Sequence, residues 1–134
     1  MMSKYRAWDK DEKRMWNVET LYIEDEWIKV NDGSIYGKTK DLVRNYELMR
    51  SADLTDQLDK EIYEGDILQI LILSVSDEYV YGEVVYKNGV LGLENVLNGW
   101  GYKQGLIPLT EIEHRYKVVG NKYENPELIE ENNQ

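Results

Sequence analysis

The sequence predicts a mainly β chain: a β-rich N-terminal region, a small barrel or sandwich after it, and a short C-terminal helix. Two observations carry this. Apolar runs are short, and Asn, Asp, Gly and Pro punctuate them at close intervals, as in strands joined by turns. The aromatic residues are 11 Tyr and 4 Trp with no Phe, and rings with an apolar body and a polar tip suit half-buried strands. Hydrophobic residues make up 42% of the 134, enough for the core of one ordinary domain or of a small domain with an appendage.

The elements follow in order. KYRAWD and RMWNVETLYI read as two strands around the polar turn KDEK. EWIKV is a third strand and NDGS a turn, because Asn, Asp and Gly tolerate the positive φ of tight hairpins. SIYGKTK reads as the returning strand. In KDLVRNYELMRSADL, residues Leu42, Val43, Tyr46, Met49 and Ala52 fit a helical stripe, while Tyr46, Leu48 and Arg50 fit a strand. A short helix or turn near 39–45, then a strand near 46–50, is expected. DLTDQLDK is polar and turn-like, and it divides the chain into an N-terminal region 1–58 and a C-terminal region 59–134.

After this boundary, EIYEGDILQILIL is a buried strand fed by a turn in which Gly65 supplies backbone freedom. EYVYGEVVYKNGVLGLENV is a hairpin whose Asn88-Gly89 pair matches the twist of its strands. LIPLTEIEHRYKVVGN holds one or two last strands, with Pro108 confining the first to an edge or a lead-in. In NPELIEENNQ, Asn125 is a good N-cap, Pro126 suits the first helical position, and Glu127 meets the helix dipole favourably.

Three stretches, KYRAWDKDEKRM, KEIYEGDIL and VVGNKYENPEL, stand in an order and spacing that resemble the YopX-like family, small proteins typically encoded by phages and prophages. The resemblance covers nearly the whole chain. It implies that the C-terminal part is an SH3-like barrel, with EIYEGDIL leading into it and VVGN as its closing strand. The segment MRSADLTDQLD departs from the family's usual turn with its Asn-Gly pair. The resemblance brings no activity and no catalytic residues with it.

Charge and composition exclude several function classes. With no cysteine, thiol catalysis, disulfides, iron–sulfur clusters and zinc-finger sites fall away together. The formal charge of -10, from 26 acids against 16 bases, makes most of the surface repel phosphate. No stretch approaches the ~20 apolar residues that cross a bilayer, and MMSKYRAWDK lacks the apolar centre of a secretory signal. A cytoplasmic protein of a bacterial host cell, without membrane contact, is expected.

The chemical candidates are few. Asp53, Asp56, Asp59, Glu61, Glu64 and Asp66 cluster in sequence, but no register gives the spacing of a calcium loop, and a solvated turn is the plainer reading. Asp11, Glu12 and Lys13 imitate a nuclease triad within a charged turn. His114 is the single histidine; Glu111 and Glu113 share one strand face and His114 takes the other. None of the serines stands in a nucleophile elbow. No catalytic set, cofactor or metal is therefore expected.

Two stretches suit binding. In GWGYKQG, Trp100 and Tyr102 present two aromatics between glycines, where peptides or single-stranded bases dock on small barrels; a core tryptophan flanked by turn glycines fits equally. At the N-terminus, Arg6 and Trp8 belong to a run that interleaves bases with aromatics, as nucleic-acid binders do, although a half-buried strand shows the same alternation. The expected function is a non-enzymatic protein-interaction module with a protein partner. A nucleic-acid-associated protein is the alternative, disfavoured by charge, and a small metal-dependent hydrolase is more remote. Exposed strand edges are compatible with homo-oligomers.

Overall fold

The computed structural model describes residues 4–34, 36–72, 78–97, 106–109 and 116–129. The chain forms two antiparallel sheets and two compact units, Met1–Ser51 and Ala52–Gln134. The expectation of a mainly β fold holds. Among the described residues no helix is long and apolar enough to cross a membrane.

The first unit is built on β1 (Tyr5–Asp9), β2 (Arg14–Tyr22), β3 (Trp27–Asn31), β4 (Lys38–Leu42) and β5 (Tyr46–Thr55), in the sheet order β4-β3-β2-β1-β5. β5 runs through the boundary and is followed in the same sheet by β6 (Glu61–Tyr63). One face of the sheet is apolar. Ala7, Trp16, Val18, Ile28, Val30 and Tyr46 form a buried cluster there, with Tyr5, Leu21 and Val43 packed against it. Period-two alternation produces this face. β2 would lose the alternation after Val18, but its pairing with β3 shifts between Val18 and Thr20. Such a bulge lets one extra residue through, and Leu21 returns to the core side opposite Ile28.

Side chains set the turns. The KDEK turn forms because the Asp9 carboxylate accepts the N–H groups of Asp11 and Glu12 at 2.9 and 3.0 Å, a local bond that competes well with extended backbone. β4 begins at Lys38 rather than at Ser34 as the sequence suggests. Asp32 Oδ1 holds the N–H and hydroxyl of Ser34, and the Asp32 N–H donates to the Gly37 carbonyl, so the connection stays a loop through Gly37. The ambiguous region resolves likewise. Residues 39–42 are still strand, Val43–Asn45 is a single 3-10 turn, and the following strand reaches Thr55. Asp41 fixes this corner: it accepts bonds from the Leu42 N–H, the Asn45 amide and the Tyr46 hydroxyl at 2.7, 3.0 and 3.2 Å.

The second unit holds a five-stranded sheet in the order β10-β9-β8-β7-β11, from β7 (Asp66–Ile72), β8 (Glu78–Lys87), β9 (Val90–Leu97), β10 (Ile107–Pro108) and β11 (Tyr116–Asn121). Asn88 and Gly89 both have positive φ, 51° and 79°, as a type I′ hairpin demands. Pro108 sits on a two-residue edge strand, where its missing N–H leaves no ladder bond unmade. The core gathers Ala52, Ile62, Leu68, Val84, Leu93, Leu109 and Tyr116. The C-terminal helix is a 3-10 turn, Pro126–Leu128, and Asn125 does not cap it. Its side-chain oxygen accepts the Asn121 N–H instead, at 3.2 Å.

The Gly-Asp pair of KEIYEGDIL sits at a junction. Gly65 takes φ 85°, open to glycine without strain. Its N–H donates to the Val84 carbonyl, and its carbonyl accepts the Lys122 N–H at 2.8 Å. Asp66, 1% exposed, folds back to accept the Tyr63 N–H. The middle and last family-like stretches therefore bond to each other.

Asp56 caps the other side of β11. One carboxylate oxygen accepts the N–H groups of Leu58 and Lys60, and the other accepts that of Val118 at 2.8 Å. Beside it, the Gln57 N–H meets the Tyr116 carbonyl at 3.1 Å. An edge that would otherwise show bare N–H and C=O groups is thus covered. Burial pushes the Asp56 carboxyl up, but the N–H groups of Val118, Lys60 and Leu58 together with the Lys60 charge outweigh it and hold it below the ordinary value of 3.8. A lowered carboxyl contributes stability that is fully present above the unfolded value and is lost as pH falls through the folded one. Urea unfolding should therefore show stability falling with pH below about 4, with Asp56→Asn flattening that fall. At neutral pH Asp56→Ala should cost roughly 3 kcal/mol, since it leaves N–H groups without their charged acceptor.

Candidate functional site

The apolar face of the first unit's sheet is core; the opposite face of its outer strands is not. On β2, β3 and β4 the residues between the core positions are Thr20, Tyr22, Trp27, Lys29 and Lys40, all exposed, and Leu42, half-buried. The register brings them together. Tyr22 lies opposite Trp27, Trp27 opposite Leu42, and Lys29 opposite Lys40. Tyr22 and Trp27 keep 38% and 37% of their surface in solvent, a large exposure for rings anchored at a strand end.

The lysine pair is unusual. At the two ends of the β3–β4 ladder, the Val43 N–H donates to the Glu26 carbonyl and the Asp32 N–H to the Gly37 carbonyl. Antiparallel pairs alternate, so Lys29 and Lys40 occupy a non-hydrogen-bonded pair, where Cα atoms stand about 4.5 Å apart and side chains are nearest. Like charges directly opposite are unfavourable. Neither lysine meets a carboxylate among the described residues, although acids outnumber bases 26 to 16 in the chain. Lys40 instead places its ammonium 5.1 Å from the Tyr22 ring centre and 5.2 Å from that of Trp27, a cation–π arrangement. The result is a cationic, aromatic face, with the exposed acids Glu24, Asp25 and Glu26 in the turn at one end.

The candidates from sequence are placed differently. Trp8 is 7% exposed and offers no open ring face. Arg6, on the same strand, is half-buried and turns its Nε toward the Met49 sulfur at 3.4 Å. Trp16 is buried, with the Arg14 guanidinium 4.1 Å over its ring. Trp100, Tyr102, Glu111, Glu113 and His114 lie outside the described residues. Of the acids between 53 and 66, Asp56 and Asp66 are buried acceptors of backbone N–H groups, and no three His, Cys, Asp or Glu residues group to hold a metal among the described residues. Sequence reading passed over Tyr22, Trp27, Lys29 and Lys40. A signal was present: in EWIKV, Ile28 and Val30 are apolar while Trp27 and Lys29 alternate with them, so an aromatic and a base share the outer face.

The YopX protein family profile matches residues 4–130. The chain belongs to the YopX family. Its fold is similar to the crystal structure of protein EF1440 from Enterococcus faecalis, with a TM-score of 0.64 and 28% identity over 95% of this chain and 97% of that one. It is similar also to the crystal structure of protein yopX from Bacillus subtilis, with a TM-score of 0.59 and 22% identity over 97% of this chain and 98% of that one. No curated protein matches the chain. YopX membership accounts for the resemblance of the three motif stretches.

The opposed lysines make a direct prediction. Lys29→Glu converts a repulsive cross-strand pair into an attractive one and should raise stability by roughly 0.5 kcal/mol. Urea midpoints measured at low and high salt check it, since screening should shrink the gain.

Proposed function

We propose that this YopX-family chain is a non-enzymatic protein-interaction module that docks a protein partner on the outer face of β2, β3 and β4. The observation that carries the reading is one exposed sheet face holding two half-exposed aromatics and two opposed lysines that meet no carboxylate among the described residues. Isolated exposed apolar residues need no explanation, but Tyr and Trp grouped on one exposed face are enriched in contact surfaces, and the lysines beside them add charge that can select the partner. Large rings at such a site also supply most of the binding energy when they are buried by a partner. The setting proposed with it is the cytoplasm of a bacterial cell carrying a phage or prophage.

The test compares the tagged protein with Trp27→Ala as baits in nuclease-treated bacterial lysate. The expected result is a partner captured in stoichiometric amount by the first and lost by the second, while both unfold at the same denaturant concentration. Equal capture by both would move the contact off this face. Saturable turnover of a substrate by the purified protein, abolished by one side-chain change, would replace the reading with an enzymatic one.

A further inference from the structure

We infer that the occupant of this face is an acidic, extended protein segment with a carboxylate and an apolar side chain two residues apart. The inference rests on the docking reading above and names its partner class. Three observations lead to it.

The first is charge. Lys29 and Lys40 sit at the closest cross-strand position and are unneutralised within the described residues. Two ammoniums so placed can converge on a single carboxylate, which accepts from both. A partner acid would relieve the repulsion that the free protein carries.

The second is spacing. Trp27 and Lys29 are consecutive outward residues of β3, with Leu42 and Lys40 beside them on β4. The face therefore has an apolar half, Tyr22, Trp27 and Leu42, and a cationic half, Lys29 and Lys40. An extended segment repeats its side chains on one side every second residue. Laid along β3, it brings an apolar side chain beside Leu42, next to Trp27, and an acid to Lys29 in the same stride.

The third decides between anions. A nucleic-acid base would stack on an aromatic face, but the Lys40 ammonium already stands over both rings, 5.1 and 5.2 Å from their centres. Stacking would have to displace it, whereas a carboxylate meets it where it stands. A polyphosphate also carries charge well beyond the two lysines, toward Glu24, Asp25 and Glu26 at one end of the face and over a protein of formal charge -10. A short acidic segment keeps its charge on the lysines.

The experiment is fluorescence anisotropy with three labelled probes: a peptide repeating Glu-Ser-Val-Ser, its Lys-Ser-Val-Ser counterpart, and a thymidine oligonucleotide of matched length. The wild-type chain should bind the Glu peptide in preference to the other two, and added salt should weaken it. The double variant K29E/K40E, checked for an unchanged fold by its urea transition, should bind the Glu peptide about tenfold more weakly or worse, and should gain affinity for the Lys peptide. Preference for the oligonucleotide overturns the inference and assigns the face to nucleic acid. No binding of the Glu peptide up to millimolar concentration, or equal binding by K29E/K40E, also overturns it. The docking reading fails separately, through undiminished partner capture by Trp27→Ala, so the two failures are distinguishable.

Discussion

The second unit depends on one carboxylate that does the work of a strand. β11 pairs with β7 along one side only, and its other side needs partners for a backbone N–H and a carbonyl. Asp56 and Gln57 provide them, with a side-chain oxygen on the Val118 N–H and a main-chain N–H on the Tyr116 carbonyl. The same carboxylate closes its own loop through Leu58 and Lys60. A charged acceptor bonded by N–H groups is worth more than a neutral one, so a five-residue turn can end a sheet that would otherwise invite pairing. The polar stretch at 53–60 reads in the sequence as a turn and a boundary between two regions. Its first residues finish β5, and Asp56 and Gln57 cover a sheet edge.

The acidic character of the chain divides by role. Asp9, Asp41, Asp56 and Asp66 are each turned inward on backbone N–H groups, and they shape turns. They do not gather into a site. The cationic face is the inverse case: among the described residues its lysines meet no carboxylate, and Lys40 rests on the Tyr22 and Trp27 rings. Acids spent on turns leave a chain of formal charge -10 with one sheet face that is locally cationic.

What was legible in the sequence was local. Asn88-Gly89 specifies its own turn because both residues accept positive φ, and Pro108 announces its edge. The start of β4 was not legible, because the side chain of Asp32 bonds Ser34 and the Asp32 N–H bonds the Gly37 carbonyl, which the apolar pattern of SIYGKTK does not reveal. The length of β5 was missed because its apolar residues fit two periodicities, and only pairing with β1 selects the strand. The candidate face was hidden for a further reason. It exists only through register: Lys29 and Lys40 become neighbours when β3 and β4 pair, and a one-residue slip would send one of them to the core side. The interleaved bases and aromatics at Arg6 and Trp8 gave a stronger sequence signal, but alternation there reports burial.

The link between Gly65 and Lys122 has a consequence for synthesis. A chain emerging from the ribosome exposes its N-terminal strands first, and β7, β8 and β9 can follow as successive neighbours. The partners of Asp56 and of the Gly65 carbonyl, however, sit at Val118 and Lys122, which follow β7, β8, β9 and β10 in the chain. Until they arrive, β7 lacks one neighbour and the carboxylate has only its own loop to bind. The second unit is therefore completed after translation of its final segment, and a nascent chain stalled before β11 carries an open, pairing-competent edge.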